Sequence, residues 1–374
     1  MKRVFYTIFL LGLLLVLTGC GSSAPTQSQP EVAATALPTD LPPAVIVPVS
    51  GEPRTLTVMT HDSFAASEGV IQEFEQANNV KITFLKSGDA GAALNTAILS
   101  KDAPMADIFY GVDNTFLSRA LDAGIFDAYA SPMLDRIPDE FKLDLKNHAL
   151  PVDYADVCIN YSKAFFSKND LPVPASLDDL IKPEYNGLFA VENPATSSPG
   201  LAFLLATIQK YGNPGYLDYW KALRANGVVV VDGWETAYYT NFSASSGNGP
   251  QPMVVSYASS PAAEVAFSSI PLDDSPVGAI NASGTCFRQV EFVGILTGTK
   301  NRDLAEKFVD FMLDVPFQED MPLNMFVYPV NGQATLPEIF TKFAQPAVGP
   351  AAIPVDLAAN RDSWIEAWTQ AVLR

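Results

Sequence analysis

This sequence predicts an α/β protein with two lobes and a mostly parallel sheet. Strand and helix patterns alternate from residue 54 onward, which is typical of β-α-β units. About 320 residues follow position 53, more than one typical domain holds, so two lobes are expected. Apolar residues make up 48% of the chain, which is enough to fill a core in each lobe.

The first 19 residues have the features of a bacterial export signal. Lys2 and Arg3 supply the positive start, and the apolar run over 8–17 is too short for a comfortable transmembrane helix. The ending Leu-Thr-Gly-Cys at 17–20 resembles a lipobox, whose cysteine becomes the lipidated first residue of the mature chain. We therefore predict a lipid anchor on Cys20, outside the cytoplasmic membrane. The alternative is an ordinary signal peptide or membrane anchor with an incidental cysteine.

Residues 20–53 predict an extended, disordered tether. They are rich in Pro, Ser, Thr and Ala and show no sustained hydrophobic period. A core of regular structure is therefore expected only from residue 54.

Three strand–helix units are predicted in the first part of the folded region. Alternating apolar residues predict strands that end near Thr60 and that span 80–84 and 107–111, and apolar residues at helical spacing follow each strand. Gly124 stands where the third helix should end.

Further strands and helices are predicted along the rest of the chain. The strands span 157–161, 228–231, 253–257 and 287–296, and the helices span 199–211, 304–312 and 357–372. Trp364 and Trp368 share the apolar face of the last helix, so we expect them to pack in a core or between lobes.

Charge and composition exclude some classes of function. The net charge is −18, and loss of Lys2 and Arg3 with the signal leaves 21 basic against 41 acidic residues, a charge of −20. Nucleic acid is excluded because phosphate binding needs clustered basic residues. The sequence has no Cys/His cluster with zinc-ligand spacing, so no metal site is predicted. Cys158 and Cys286 remain after Cys20, either joined or as two buried free thiols.

Polar residues at strand-to-helix junctions are the candidate binding residues. Ligands of open α/β sheets bind beyond the carboxyl ends of the strands, where helix N-termini also converge. The candidates at such junctions are His61, Asp62, Asp113, Asn114, Ser197, Ser198, Trp234, Tyr257 and Ser259. Turn formation and helix capping would also explain the Asp, Asn and Ser residues among them.

Two junctions carry a more specific signal. The segment Ser197-Ser198-Pro199 marks a helix start, whose free backbone N–H groups and dipole can also bind an anion. Trp234 follows a buried-type strand and stands beside a glycine, which favours an aromatic platform for a flat, cationic ligand.

Tyr238 and Tyr239 could bind ferric iron through phenolates, or could be one buried and one exposed aromatic.

Several motifs, taken in order, resemble one family. They are THDSF at 60–64, GVDN at 111–114, PATSSPGL at 194–201, DGWETAY at 232–238, VSYASSPA at 255–262, VYPV at 327–330 and the C-terminal RDSWIEAWTQAVLR. Over about residues 54–374 the chain resembles the thiamine-binding substrate-binding lipoproteins of bacterial ABC importers, within the type II periplasmic-binding superfamily.

The resemblance implies two α/β lobes that close over one ligand, each with a mixed, mostly parallel sheet, joined by a two-strand hinge. Lobe I would comprise 54–157 and 286–374, including the C-terminal helices, and lobe II would comprise 158–285. The hinge strands would carry Cys158 and Cys286 side by side, so the resemblance implies a disulfide between them.

The family's site positions fall on His61, Asp113, Ser197, Ser198, Trp234, Tyr257 and Phe326. The resemblance implies that the two serines face a phosphate or hydroxyethyl end, that Trp234 and Tyr257 pack on the rings, and that Asp113 accepts from the polar edge. Three positions differ from the family's pattern, because His61 replaces a tyrosine, Ala263 an aromatic residue and Phe326 a tryptophan. The aromatic enclosure of the ligand is therefore expected to be less complete than in the family.

The predicted function is non-enzymatic. The chain would bind thiamine, thiamine monophosphate, thiamine diphosphate or another cationic heterocycle and deliver it, as an anchored monomer without a cofactor, to an ABC permease and its ATPase. One alternative is ferric-iron binding through Tyr238 and Tyr239. The other alternative is an anchored hydrolase. Its general base would have to be His61 or His148, the only two histidines, and the sequence has no G-x-S-x-G motif.

Overall fold

The computed structural model describes residues 52–244, 248–354 and 356–374. The predicted signal peptide, Cys20 and all but the last two residues of the predicted tether lie outside this range. None of the helices in the described ranges has the length and apolar character that crossing a membrane requires.

The described residues form eleven strands and eleven α-helices. The strands are β1 Arg54–Thr60, β2 Val80–Lys86, β3 Ile108–Asp113, β4 Phe126–Asp127, β5 Leu150–Ser162, β6 Phe189–Glu192, β7 Val229–Val231, β8 Met253–Tyr257, β9 Val277–Ile280, β10 Phe287–Leu296 and β11 Tyr328–Pro329. The helices are α1 Glu68–Asn78, α2 Ala90–Leu99, α3 Leu117–Ala123, α4 Lys163–Lys168, α5 Ser198–Tyr211, α6 Gly215–Ala225, α7 Ser260–Ala266, α8 Arg302–Leu313, α9 Val315–Asn324, α10 Glu338–Phe343 and α11 Leu357–Val372. A π-helical turn spans Thr236–Asn241.

Hydrophobic periodicity located most of the strands, although β4, β6, β9 and β11 and the helices α4, α6, α9 and α10 were not predicted. Strand β1 ends at Thr60 and strand β10 spans the predicted ten residues. Helix α3 ends at Ala123, and Gly124 directly after it has a φ of 60°, the left-handed conformation that glycine adopts most easily. Local sequence pattern therefore determines the outline of the fold.

One continuous sheet connects the two halves of the molecule, in the order β2-β1-β3-β10-β5-β8-β6-β7. The pairs at both ends of this order are parallel, as predicted, whereas β3–β10, β10–β5 and β5–β8 in the middle are antiparallel. The sheet is thus mixed, and its long central strands β5 and β10 lie side by side.

The two remaining cysteines are joined at this central pair. Cys158 lies in β5, Cys286 directly precedes β10, and their sulfurs form a disulfide. Both residues are fully buried. The pairing that the resemblance implied is therefore present in the structure.

The C-terminal helix packs against α6. Trp368 meets Trp220 edge-on at 5.4 Å between ring centroids, and the Arg224 guanidinium donates to the Ala371 carbonyl at 3.0 Å. Trp364 and Trp368 are buried, as predicted for core residues. Helix α6 belongs to the segment predicted for lobe II, and the lobe boundaries themselves stay a prediction.

Candidate functional site

A cavity of about 680 Å³ lies at the carboxyl ends of the parallel strands. Its lining comes from the segments that follow β1, β2, β6, β7 and β8, together with α7, the end of α9 and one residue of β10. The volume is in the usual range for a small-molecule site. The location agrees with the rule that ligands bind beyond the carboxyl ends of the strands in α/β sheets.

One side of the cavity is a cluster of three rings that we call the aromatic wall, formed by Trp234, Tyr238 and Tyr257. Trp234 stacks on Tyr238 at 5.0 Å between centroids with planes 20° apart, and its centroid lies 6.1 Å from that of Tyr257. The indole Nε1 donates to Ser256 Oγ at 2.9 Å. Because its N–H is satisfied, the indole is fixed in orientation while part of its surface faces the cavity.

Phe326 lies in the cavity lining in an unusual backbone conformation. Its φ is 55°, in the left-handed region that bulky residues rarely adopt, and its side chain is buried. Such strain persists where surrounding contacts impose it, and it is frequent at binding sites. The ring of Phe326 meets that of Phe267 at 5.1 Å between centroids.

Three carboxylates lie in register across neighbouring strands, and we call them the acidic row. Glu291 of β10 stands opposite Asp113 of β3 on one side and opposite Asp153 of β5 on the other. The Tyr110 hydroxyl lies 2.7 Å from Asp153 Oδ2 and 3.1 Å from Glu291 Oε2. Glu291 reaches the cavity lining, while the other two are fully buried.

Burial raises the pKa of every carboxyl group in the acidic row. Desolvation raises the pKa of Asp113 to about 7 and that of Asp153 to about 7, and it raises the pKa of Glu291 well above its usual value. The negative charges of Asp153 and Asp113 add to the effect on Glu291. Like charges in register repel each other, so a cation beside Glu291 would relieve an existing electrostatic cost.

A further, partly buried carboxylate reaches the cavity from the loop before α2. Asp89 Oδ2 accepts from the Trp234 backbone N–H at 2.9 Å, and Oδ1 accepts from Ala90 N. Desolvation raises the pKa of Asp89, although the hydrogen bonds from Trp234 and Ala90 and the nearby Ser197 and Ser198 oppose that rise. The protein therefore places its own carboxylate at the start of α5, where the sequence predicted an anion site.

His61 fits into the cavity only because residue 111 is a glycine. A Cβ atom built on Gly111 would lie 2.5 Å from His61 Cδ2, and the φ of Gly111 is +106°. Burial lowers the pKa of His61 to about 4, so the imidazole is neutral at pH 7. Its Nε2 lies 3.5 Å from Glu291 Oε1.

The structure brings most of the predicted site residues together. The cavity lining includes His61, Asp62, Ser198, Trp234, Tyr238, Tyr257, Ser259 and Phe326. Asp62 also accepts from Gly88 N at 2.9 Å, which links the junctions after β1 and β2.

Three predicted residues lie outside the lining, and the side chains of two of them form structural hydrogen bonds. Asp113 Oδ1 accepts from Thr115 Oγ1 at 2.7 Å and from Phe116 N at 3.2 Å, so it caps the turn before α3. The Asn114 side chain binds β10, because its Nδ2 donates to the Arg288 carbonyl and its Oδ1 accepts from the Val290 N–H. Ser197 is the fully buried N-cap residue of α5.

The adjacent tyrosines have different surroundings. Tyr238 is buried and its hydroxyl donates to Glu264 Oε1 at 2.7 Å, whereas Tyr239 is half exposed. Desolvation raises the pKa of Tyr238 well above its usual value, which opposes the phenolate that ferric iron requires. Among the described residues, no three or more His, Cys, Asp or Glu side chains are grouped as a metal site would need.

His148, the second histidine, belongs to another part of the molecule. Its Nδ1 lies 3.3 Å from Asp144 Oδ2, and it lines a separate cavity of about 370 Å³. The two histidines therefore do not serve one site.

Sequence reasoning missed Asp89, Glu291 and Phe267. Asp89 stands at a strand-to-helix junction, so the rule used for the other junctions would have found it. Glu291 is a lone acid within the apolar strand sequence VEFVGIL, which is a recognisable signal of a buried charge. Phe267 gave no such signal, because an apolar residue at the end of a helix is common.

Comparisons with known proteins agree on one family. Residues 103–347 match the family model described as bacterial extracellular solute-binding protein. The chain is 32% identical to the thiamine-binding periplasmic protein of Escherichia coli K12 over 334 residues, which cover 87% of this chain and 96% of that protein. It is 29% identical to the thiamine-binding periplasmic protein of Brucella suis over 339 residues, covering 88% and 95%.

The fold comparison gives the same result. A solved structure titled periplasmic thiamin binding protein superposes with a TM-score of 0.74 at 30% identity, covering 86% of this chain and 97% of that one. The structure of the periplasmic binding protein P5PA, at 20% identity and a TM-score of 0.72, shares the fold. The architecture is therefore the two-lobed type II periplasmic-binding fold that the resemblance implied.

Proposed function

Because this chain belongs to the bacterial extracellular solute-binding protein family, we propose that its solute is thiamine or a thiamine phosphate. The observation that carries this proposal is the presence of the aromatic wall and of Glu291, the member of the acidic row that lines the cavity, in one place. Thiamine joins an aminopyrimidine to a positively charged thiazolium ring. Flat rings suit the indole and phenol faces, and the fixed positive charge suits Glu291.

The hydroxyethyl end of thiamine, or its phosphate ester, is proposed to point toward Ser198. This serine lines the cavity at the start of α5, where backbone N–H groups and the helix dipole favour an anion. Asp89 already interacts with the same helix start, so a phosphate has to be accommodated beside it. The length of the phosphate chain is therefore expected to change the affinity.

Calorimetric titration with thiamine, thiamine monophosphate and thiamine diphosphate tests the ligand. We expect binding of at least one of the three, with choline as a matched cation that has no ring and binds much more weakly. The absence of both heat and a thermal shift with all three compounds would refute the proposal.

We further propose that the protein acts as an anchored monomer without a cofactor. The lipidated Cys20 would hold it outside the cytoplasmic membrane, and a permease with its ATPase would take up the ligand from the cavity. Native mass spectrometry of the protein extracted from membranes tests this. It should show one chain, the added mass of the lipid and any ligand that co-purifies. A dimer, or a Cys20→Ala variant that still sediments with membranes, would contradict it.

A further inference from the structure

Phe267 is a large apolar side chain left exposed at the edge of the cavity. Its exposed fraction is 72%, yet it belongs to the cavity lining and meets Phe326 at 5.1 Å between centroids with planes 61° apart. An exposed aromatic ring beside a concave site is expected to gain burial when a ligand binds.

Helix geometry directs this ring into the site. Ala263 and Glu264, one turn earlier on α7, also line the cavity, and the Phe267 N–H donates to the Ala263 carbonyl at 2.9 Å. Residues four apart on a helix share a face, so position 267 continues the surface that position 263 presents. Ala263 has no ring of its own, which leaves space for the ring of Phe267.

The partner ring is held firmly. Phe326 is 9% exposed, has a φ of 55° and packs in a cluster with Ala262, Tyr328 and Phe340. A ring that rests on such a fixed neighbour has a defined position over the cavity, although most of its own surface is free.

We propose that Phe267 is a specificity-determining residue that covers the rings of the ligand together with Phe326, opposite the aromatic wall. This inference rests on the proposed function, since it needs a ligand with flat rings. The ligand would then lie between Trp234 and Tyr257 on one side and Phe326 and Phe267 on the other. Selection for aromatic cations over cations without rings follows from that enclosure.

Titration of four variants tests the proposal. Phe267→Ala should weaken thiamine binding roughly tenfold, equivalent to about 1.4 kcal/mol, and should change choline binding less than twofold. Phe267→Leu should recover only part of the loss, because it restores apolar area without a ring. The double variant Ala263→Phe with Phe267→Ala moves the ring one turn back on the same face and should restore much of the affinity. Ile270→Ala is the matched control, since Ile270 is 64% exposed and lies outside the cavity lining.

Two results would overturn the role of Phe267. One is unchanged thiamine affinity in Phe267→Ala, and the other is an equal loss for choline, which would indicate a general structural effect. Wild-type protein that binds no thiamine would refute the proposed function instead. The same variants titrated with 1-methylnicotinamide, a flat aromatic cation, would then decide the role of Phe267, and failure of the wild type to bind that probe would end both proposals.

Discussion

The aromatic wall and the acidic row, which reaches the same cavity through Glu291, differ in how far their polar atoms are satisfied. The Trp234 indole N–H and the Tyr238 hydroxyl each have a hydrogen-bond partner within the protein. In the acidic row, by contrast, Asp113 Oδ2 is buried without a hydrogen-bond partner among the described residues. Trp234 and Tyr238 are thus held in place before a ligand arrives, whereas no Lys or Arg among the described residues forms an ion pair with the row. We infer that the wall supplies affinity for rings and that the row selects for charge.

Removing the centre of the wall should have the largest effect. Trp234→Ala should weaken thiamine binding roughly 100-fold, because it deletes the ring that stacks on Tyr238 and the apolar area that a ligand ring would cover. Calorimetric titration measures the loss. Trp364→Phe, in the buried core contact of α11, is the control and should keep wild-type affinity. A loss below threefold for Trp234→Ala would mean that the wall does not contact the ligand.

Removing the charge of Glu291, the member of the acidic row that lines the cavity, should weaken binding less, and by an amount that depends on the charge of the ligand. Glu291→Gln keeps the shape of the side chain and should weaken thiamine binding about tenfold. Binding of thiochrome, a neutral flat heterocycle, should change less than twofold. Glu235→Gln, an exposed acid at the cavity lining, is the matched control.

The same titrations also measure how many protons are released when the ligand binds. Cation binding should expel a proton from the row, because burial raises the pKa of Asp153 to about 7 and that of Glu291 well above its usual value. Thiamine heats measured in two buffers with different ionisation enthalpies would reveal this release, and Glu291→Gln should reduce it. Equal loss of thiamine and thiochrome binding in that variant would contradict a role in charge selection.

The smallest expected effect concerns the stability of the unliganded protein. The folded state raises the pKa of Asp113 from 3.8 to about 7, so its stabilising contribution is complete below pH 4 and is lost as the pH rises through 7. The Tm of Asp113→Asn minus the Tm of wild type should therefore be about 3 °C larger at pH 8 than at pH 5. His61, whose pKa is lowered, titrates in both proteins, so its contribution to stability cancels in this difference.

Thermal melts of both proteins at the two pH values provide the test. Asp139→Asn is the control, because Asp139 is an exposed acid whose pKa is lowered by Lys142. A Tm difference that does not depend on pH would mean that Asp113 does not hold its proton in the folded state.

The wall could be predicted from the sequence and most of the row could not, for a physical reason. Trp234 follows β7 and Tyr257 ends β8, two strands with clear apolar runs, so the strand-end rule places both residues at the site. Glu291 lies within a strand, and its neighbours Asp113 and Asp153 come from strands 178 and 138 positions away in the chain. Their register depends on the antiparallel pairing of β3, β10 and β5, which local pattern does not encode. The central antiparallel pairs were missed for the same reason.

The close approach of His61 to Gly111 has an evolutionary consequence. A side chain at position 111 would occupy the space of the imidazole, so each of the two positions limits what the other can become. We expect them to co-vary among relatives, with a larger residue at 111 only where position 61 is small or turned away. A set of relatives in which the two positions vary independently would contradict this. If they do co-vary, a change of solute at this side of the cavity requires two coordinated mutations, which makes it a slow step in the divergence of such receptors.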